Sequence, residues 1–233
     1  MTVNSQAVEV AQSVSDQFAQ DTASDGLLGL GFDNLNNVKP VQQKTWFSNA
    51  KASLASPVFT VYLDENGAGE YEFGAIDSSK YSGQIYYTAV DSSEGHWQFE
   101  TNTFSIGKAA SQTYSSASSA IADTGTSLIL LDDDIVTAYY KQVSGAKYSS
   151  SQGGYVFSCT TTLPNFGVTI AGHVFTVPGA ALNYNQVSSS QCFGGLQSNA
   201  GEDVNIFGDV FLRQVFTVFD GSSQPRLGFA QKP

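Results

Sequence analysis

Asp123 stands in the run Ile121-Ala122-Asp123-Thr124-Gly125-Thr126-Ser127, surroundings that suit a carboxylate doing chemistry. Ser119-Ala120-Ile121-Ala122 reads as an apolar strand entering, and Leu128-Ile129-Leu130-Leu131 as an apolar strand leaving. Gly125 has no Cβ, so the turn can bring backbone N–H groups close to the carboxylate. The hydroxyl of Thr126 is a further donor within reach. A second carboxylate at hydrogen-bonding distance would let the pair share one proton in acid. Such a pair activates water on one side and donates to a carbonyl on the other. The tripeptide Asp-Thr-Gly is weak alone, since roughly a few per cent of chains this long contain it by chance. The apolar flanks strengthen it, as does Ile206-Phe207-Gly208 downstream.

Other chemistries have less support. A serine hydrolase needs a nucleophile elbow, and no Gly-x-Ser-x-Gly occurs. His96 and His173 read as ordinary surface or strand residues. Together with Cys159 and Cys192 they lack the close pairing of metal ligands, so no metal or other cofactor is expected. Asp132-Asp133-Asp134 reads as a helix start, because Ile135 and Val136 follow at once. A Gly-rich phosphate loop and βαβ alternation are both missing, which argues against a nucleotide-binding fold.

The 233 residues carry 21 Asp and Glu against 10 Lys and Arg, a formal net charge of −11. The pI is about 4.3. Such a chain repels nucleic acid and anionic lipid at neutral pH, and the balance suits an acidic medium. With 41% hydrophobic and 12% aromatic residues the chain can build a real core. Only 13% are charged, so Ser, Thr, Asn and Gln must wet much of the surface. No run approaches the roughly 20 apolar residues of a membrane span. Met1 to Gln6 have neither the basic start nor the apolar run of a signal peptide. The two cysteines are either one disulfide closing a long loop or two buried thiols, and composition leaves both open.

Short β-rich runs dominate the elements that must position Asp123. Strands are expected at 57–63, 71–74, 84–90, 97–100, 168–170, 174–177 and 215–219. Asp64-Glu65-Asn66-Gly67 is expected to turn the first of these into the second. Helices are expected from about Asp132 to Val143, near Val41 to Leu54, and weakly between Ala7 and Phe18. The Ser-rich run Ser111 to Ser119 has nothing to bury and reads as a surface loop. Asp25 to Phe32 and Asn205 to Phe211 share a pattern of apolar pairs followed by Gly, so each could be a buried strand needing close backbone approach. The fold class is all-β with small helices.

With these residues in place, the chain resembles the pepsin-like aspartic endopeptidases, most closely the secreted fungal enzymes of the penicillopepsin and aspergillopepsin type. The resemblance rests on Phe18, Asp25 to Leu30, Phe73 to Asp77, Asp123 to Ser127, the two cysteines, Ile206 to Asp209, and the ending Leu227-Gly228-Phe229-Ala230. It implies a bilobal β-protein that hydrolyses internal peptide bonds of polypeptide substrates at acid pH, with water as nucleophile. It further implies inhibition by pepstatin-type compounds, a monomer, and an extracellular setting. Asp123 would be the carboxyl-lobe aspartate, with Ile206-Phe207-Gly208 as its threading strand. Thr124 would tie the two catalytic loops together, while Gly125 and Thr126 support the carboxylate. Phe18, Leu27 and Ser127 would contact substrate, and Cys159–Cys192 would be the carboxyl-lobe disulfide.

The sequence departs from the family in one respect. The family's first Asp-Thr-Gly-Ser and its flap precede the segment matching Leu27-Leu28-Gly29, and only 26 residues stand there. Asp21-Thr22-Ala23-Ser24 has Ala where Gly is required and reads as a surface turn. The expectation is therefore a truncated chain. Residues 1–83 would be a remnant of the amino lobe and interlobe sheet, and residues 84–233 the carboxyl lobe. With one aspartate of the pair, the chain is expected to be inactive. A non-catalytic peptide-binding remnant, or a homodimer giving one Asp per chain, are the alternatives.

Overall fold

The structure, a computed structural model, describes residues 2–65, 67–101, 103–113 and 119–233. Among these the chain is mostly strand with short helices, arranged in sheets of four or five strands, as the all-β reading expects. The expected strands form within two residues of their anticipated ends. Asn66 of the expected turn, and positions 114–118 of the Ser-rich run, lie outside the described residues.

A central sheet orders its strands Gly69–Phe73, Val58–Leu63, Val215–Asp220, Arg226–Gln231 and Ser82–Ala89, all neighbours antiparallel. Every residue of Val215–Asp220 is buried. Side chains of a strand alternate between faces, so both faces of this one are covered. Val215 and Phe219 join the main core, while Phe216 and Val218 join a smaller cluster with Ala230 and Tyr87. Phe59 and Phe219 are cross-strand partners whose rings stack 4.5 Å apart. Trp97 stands edge-on to both, at 5.7 and 5.2 Å. The boundary expected at 83/84 lies inside Ser82–Ala89, and the sheet takes strands from both sides of it.

Two further sheets build the body around the main core. One orders Asn183–Gln186, Gln191–Gly194, Gly154–Ser158 and Lys147–Ser149; the other His173–Val177, Phe166–Ile170, Thr103–Ile106 and Gln112–Thr113. The helix Asp133–Tyr140 packs Ile135, Val136, Tyr139 and Tyr140 inward and follows Asp132 at its N-cap. Its two phenols donate to Pro164 O and Leu196 O at 2.8 and 2.6 Å, so neither ring is buried with an unmet hydroxyl.

Three expectations fail here, each for a physical reason. The helix near Val41 to Leu54 is only Trp46–Ala50, followed by the 3-10 turn Lys51–Ser53. Upstream, the backbone N–H groups of Gln43 and Thr45 donate to Asn36 Oδ1 and Asp33 Oδ1, and so cannot join a helix ladder. The helix between Ala7 and Phe18 shrinks to Asp16–Gln20, because Val8 and Val10 have no surface to pack on and stay 80% and 77% exposed. Asp25 to Phe32 is not a buried strand. Leu27 is 83% exposed, and a Cβ on Gly29 would meet nothing within 4 Å. A strand needs a neighbour along its length, and among the described residues the backbone bond from this segment to a remote part of the chain is Phe32 N to Gly95 O.

Cys159 and Cys192 are joined, with Cα atoms 4.9 Å apart. Cys192 lies opposite Phe157, and Cys159 follows the end of the same strand. The bridge closes a loop spanning 33 positions. Replacing both cysteines by alanine is expected to cost about 4 kcal/mol in urea unfolding by the loop-entropy relation. An unchanged midpoint would show that the sheet pairing alone holds this loop.

Candidate active site

The fourth sheet holds Asp123. It orders Leu196–Ser198, Ile129–Leu131, Asn205–Phe207, Ser119–Ala122 and Gln98–Glu100. Asn205–Phe207 runs between the strand that enters Asp123 and the strand that leaves its loop. It is parallel to Ser119–Ala122, with Phe207 opposite Ala122, and antiparallel to Ile129–Leu131, with Phe207 opposite Ile129. The loop 123–128 therefore arches across the end of a strand that comes from far along the chain.

Backbone bonds clamp the crossing. Asp123 N donates to Phe207 O at 3.2 Å, and Gly208 N to Leu128 O at 3.1 Å. Asp209 N then donates to Thr126 O at 2.8 Å, and Val210 N to Ser127 O at 3.0 Å. A Cβ on Gly208 would lie 2.0 Å from Thr126 O and 2.5 Å from Leu128 O. Both are backbone atoms with no room to yield, so the glycine is what allows the crossing.

The carboxylate accepts one bond on each oxygen. Gly125 N donates to Asp123 Oδ1 at 2.9 Å, and Thr126 Oγ1 to Oδ2 at 2.6 Å. Asp123 is half-buried and stands with Thr124 on the wall of a hollow of about 270 Å³. Leu30, Leu35, Phe59, Ile121, Trp97 and Phe219 make the rest of that wall largely apolar, and His96 completes it. Trp97 Nε1 donates to Leu30 O at 2.8 Å, which ties the segment near Leu30 to the hollow's floor.

Asp123, Thr124, Gly125 and Thr126 are thus brought together as the sequence expects. Ser127 is exposed on the loop, where its carbonyl receives Val210. Phe18 and Leu27 are not brought to the hollow: they are 51% and 83% exposed, and neither lines it. Asp21 forms an exposed turn in which its carboxylate accepts from Ala23 N at 2.9 Å and from the Ser24 hydroxyl. Among the described residues no group of three His, Cys, Asp or Glu side chains is disposed to hold a metal ion.

Two residues near the site escaped the sequence reading. His96 read as ordinary, yet it shares the hollow with Asp123. Asp209 was visible only as the residue after the threading glycine. Its Oδ1 is buried without a hydrogen-bond partner among the described residues. Burial pushes its carboxyl above the ordinary value and the charge of Asp123 adds to this, while Arg213 partly offsets both.

Residues 1–232 match the family profile described as "Eukaryotic aspartyl protease". The chain belongs to that family. It is similar to aspergillopepsin-1 of Aspergillus oryzae, 54% identical over 230 residues, covering 99% of this chain and 58% of the relative. It is similar to penicillopepsin-1 of Penicillium janthinellum, 50% identical over 231 residues, covering 99% and 70%. Among solved structures, the aspartic proteinase from Irpex lacteus superposes with a TM-score of 0.76 at 26% identity, covering 91% of this chain and 69% of that one. The pepsin-like aspartic proteinase fold is therefore shared, while the chain spans 58% of the length of the first of these relatives.

Two outcomes follow from the clamp and its neighbour. Gly208→Ala is expected to lose about 2–3 kcal/mol of stability, whereas Gly29→Ala, in open surroundings, stays within about 0.5 kcal/mol. Equal losses in chemical denaturation would deny the close approach. For Asp209, the raised folded-state value means stability is fully present below the ordinary value of 3.8 and is lost as pH rises through the folded value. Asp209→Asn should therefore raise the Tm near neutral pH, with the gain vanishing in acid below 3.8. A lower Tm at neutral pH would reverse that sign.

Proposed function

We propose that these residues form part of an acid endopeptidase that hydrolyses internal peptide bonds, and that Asp123 is one of its two aspartates. The observation that carries this reading is a carboxylate fixed through both oxygens on the wall of a hollow. Water is the nucleophile in this reading, and Thr124, Gly125 and Thr126 hold the loop in place. Polypeptides are the substrates and pepstatin-type compounds the inhibitors. Ser127, exposed on the loop, and the exposed apolar side chains of Phe18 and Leu27 would contact substrate. By its similarity to these fungal proteases the protein is read as working outside the cell, and as a monomer. We assign residues 1–83 to a part of the amino lobe and interlobe sheet, and 84–233 to the carboxyl lobe.

Among the described residues Asp123 is the only carboxylate on the hollow's wall. One carboxylate cannot be both base and acid to the same bond. The purified chain is therefore expected to leave denatured protein uncleaved at about pH 3 to 4, with or without pepstatin. Pepstatin-sensitive cleavage lost in Asp123→Asn would mean that a second chain supplies the missing group. Cleavage surviving that substitution would remove Asp123 from the chemistry. In the same chain, pepstatin is expected to shift the amide NMR signals of Thr124 and Gly125, and Asp123→Asn to abolish the shift. No shift in the parent chain would count against the peptide-site reading itself.

A further inference from the structure

We propose that His96 makes the hollow beside Asp123 select an acidic side chain of the bound peptide. This rests on the reading of that hollow as a peptide site. Among the described residues on its wall, only His96 has a side chain that can carry positive charge. Around it the wall is mostly apolar, so a charge there is screened less than on the open surface.

The loop bearing His96 is held in place before any ligand arrives. Asp91 N donates to Gln98 O and Gly95 N to Ser92 O, each at 2.9 Å. From the segment packed against it, Phe32 N donates to Gly95 O at 2.9 Å, and Asn34 Nδ2 to Ser93 O at 2.8 Å. Gly95 sits at φ +82°, where a Cβ would stand 2.4 Å from Leu35 Cγ. The backbone that carries His96 therefore needs little further ordering when a ligand binds.

The carboxylates on this wall, on the loop and on the packed segment accept from neutral donors or face solvent. Asp123, on the same wall, accepts from Gly125 and Thr126. Asp91, on the loop itself, accepts from Ser93 N, and Asp33, on the packed segment, from Thr45 N. Glu94 is exposed to solvent. Among the described residues no ion pair includes His96. Imidazoles as a class take up a proton below about pH 6.5, and peptide carboxylates ionise above about pH 4. Between those limits an acidic side chain of the ligand is the natural partner. The rest of the chain, with a formal net charge of −11, repels it.

The test uses the intact chain and pairs of short apolar peptides differing only by Glu or Gln, placed at each position in turn. Affinity is measured by calorimetry at about pH 5 and about pH 7.5. At one position Glu is expected to bind roughly fivefold tighter than Gln at the lower pH, with no difference at the higher. His96→Gln and His96→Phe should both lose that preference for Glu over Gln at the lower pH, whatever either does to the affinity for the Gln peptide. Equal affinities at the lower pH at every position, or a preference surviving both substitutions, would overturn the proposal. So would failure to bind any peptide. If pepstatin still shifts Thr124 and Gly125 in that case, the peptide site stands and only the role of His96 falls. If pepstatin does nothing either, both readings fall together.

Discussion

The site depends on one backbone crossing. Gly208 passes beneath the carbonyls of Thr126 and Leu128 at a distance that no other residue type permits. Because it passes there, Asn205–Phe207 can lie between the strands on either side of Asp123 and pair with both. A carboxylate on a free loop would sample many orientations, and the donors on Gly125 and Thr126 would rarely meet it together. The threaded strand removes that freedom with bonds made by main-chain atoms, which are indifferent to side-chain rotamers. Asp209 accepts a cost in the same place: its N–H completes the clamp while its carboxyl sits half-buried near a like charge.

Beneath the loop, aromatic packing turns the central sheet into the floor of the hollow. The stacked pair Phe59 and Phe219 joins two neighbouring strands, and Trp97 meets both rings edge-on, the arrangement aromatic quadrupoles favour. Through its indole N–H the same tryptophan holds Leu30. One side chain therefore links the central sheet, the hollow and the segment that follows the short helix Asp16–Gln20. The segment from Asp25 to Gly29, by contrast, has little to pack on, and its leucines face solvent.

Much of this was legible in the sequence where local pattern decides. Asp123 with its Thr-Gly-Thr turn, the apolar strands around it and the strand-rich character all follow from residues close together in the chain. His96 and Asp209 were not legible, because their significance comes from neighbours remote in sequence: the hollow's wall for one, the charge of Asp123 for the other. The two apolar-apolar-Gly segments looked alike yet diverged. Gly208 is wedged against backbone while Gly29 stands in the open, and only partners elsewhere in the fold make that difference. The short helix at Trp46–Ala50 gives the same lesson, since the acceptors that shorten it, Asn36 and Asp33, lie outside the window in which its periodicity is read.

The clamp should hold the loop bearing Asp123 as firmly as the sheet beneath it. Native-state amide hydrogen exchange tests this directly at Asp123, Gly208, Asp209 and Val210, whose N–H groups form the clamp. All four are expected to exchange only through global unfolding, with the same dependence on denaturant as the buried strand Val215–Asp220. Exchange of these amides by local opening, while Val215–Asp220 stays protected, would contradict it.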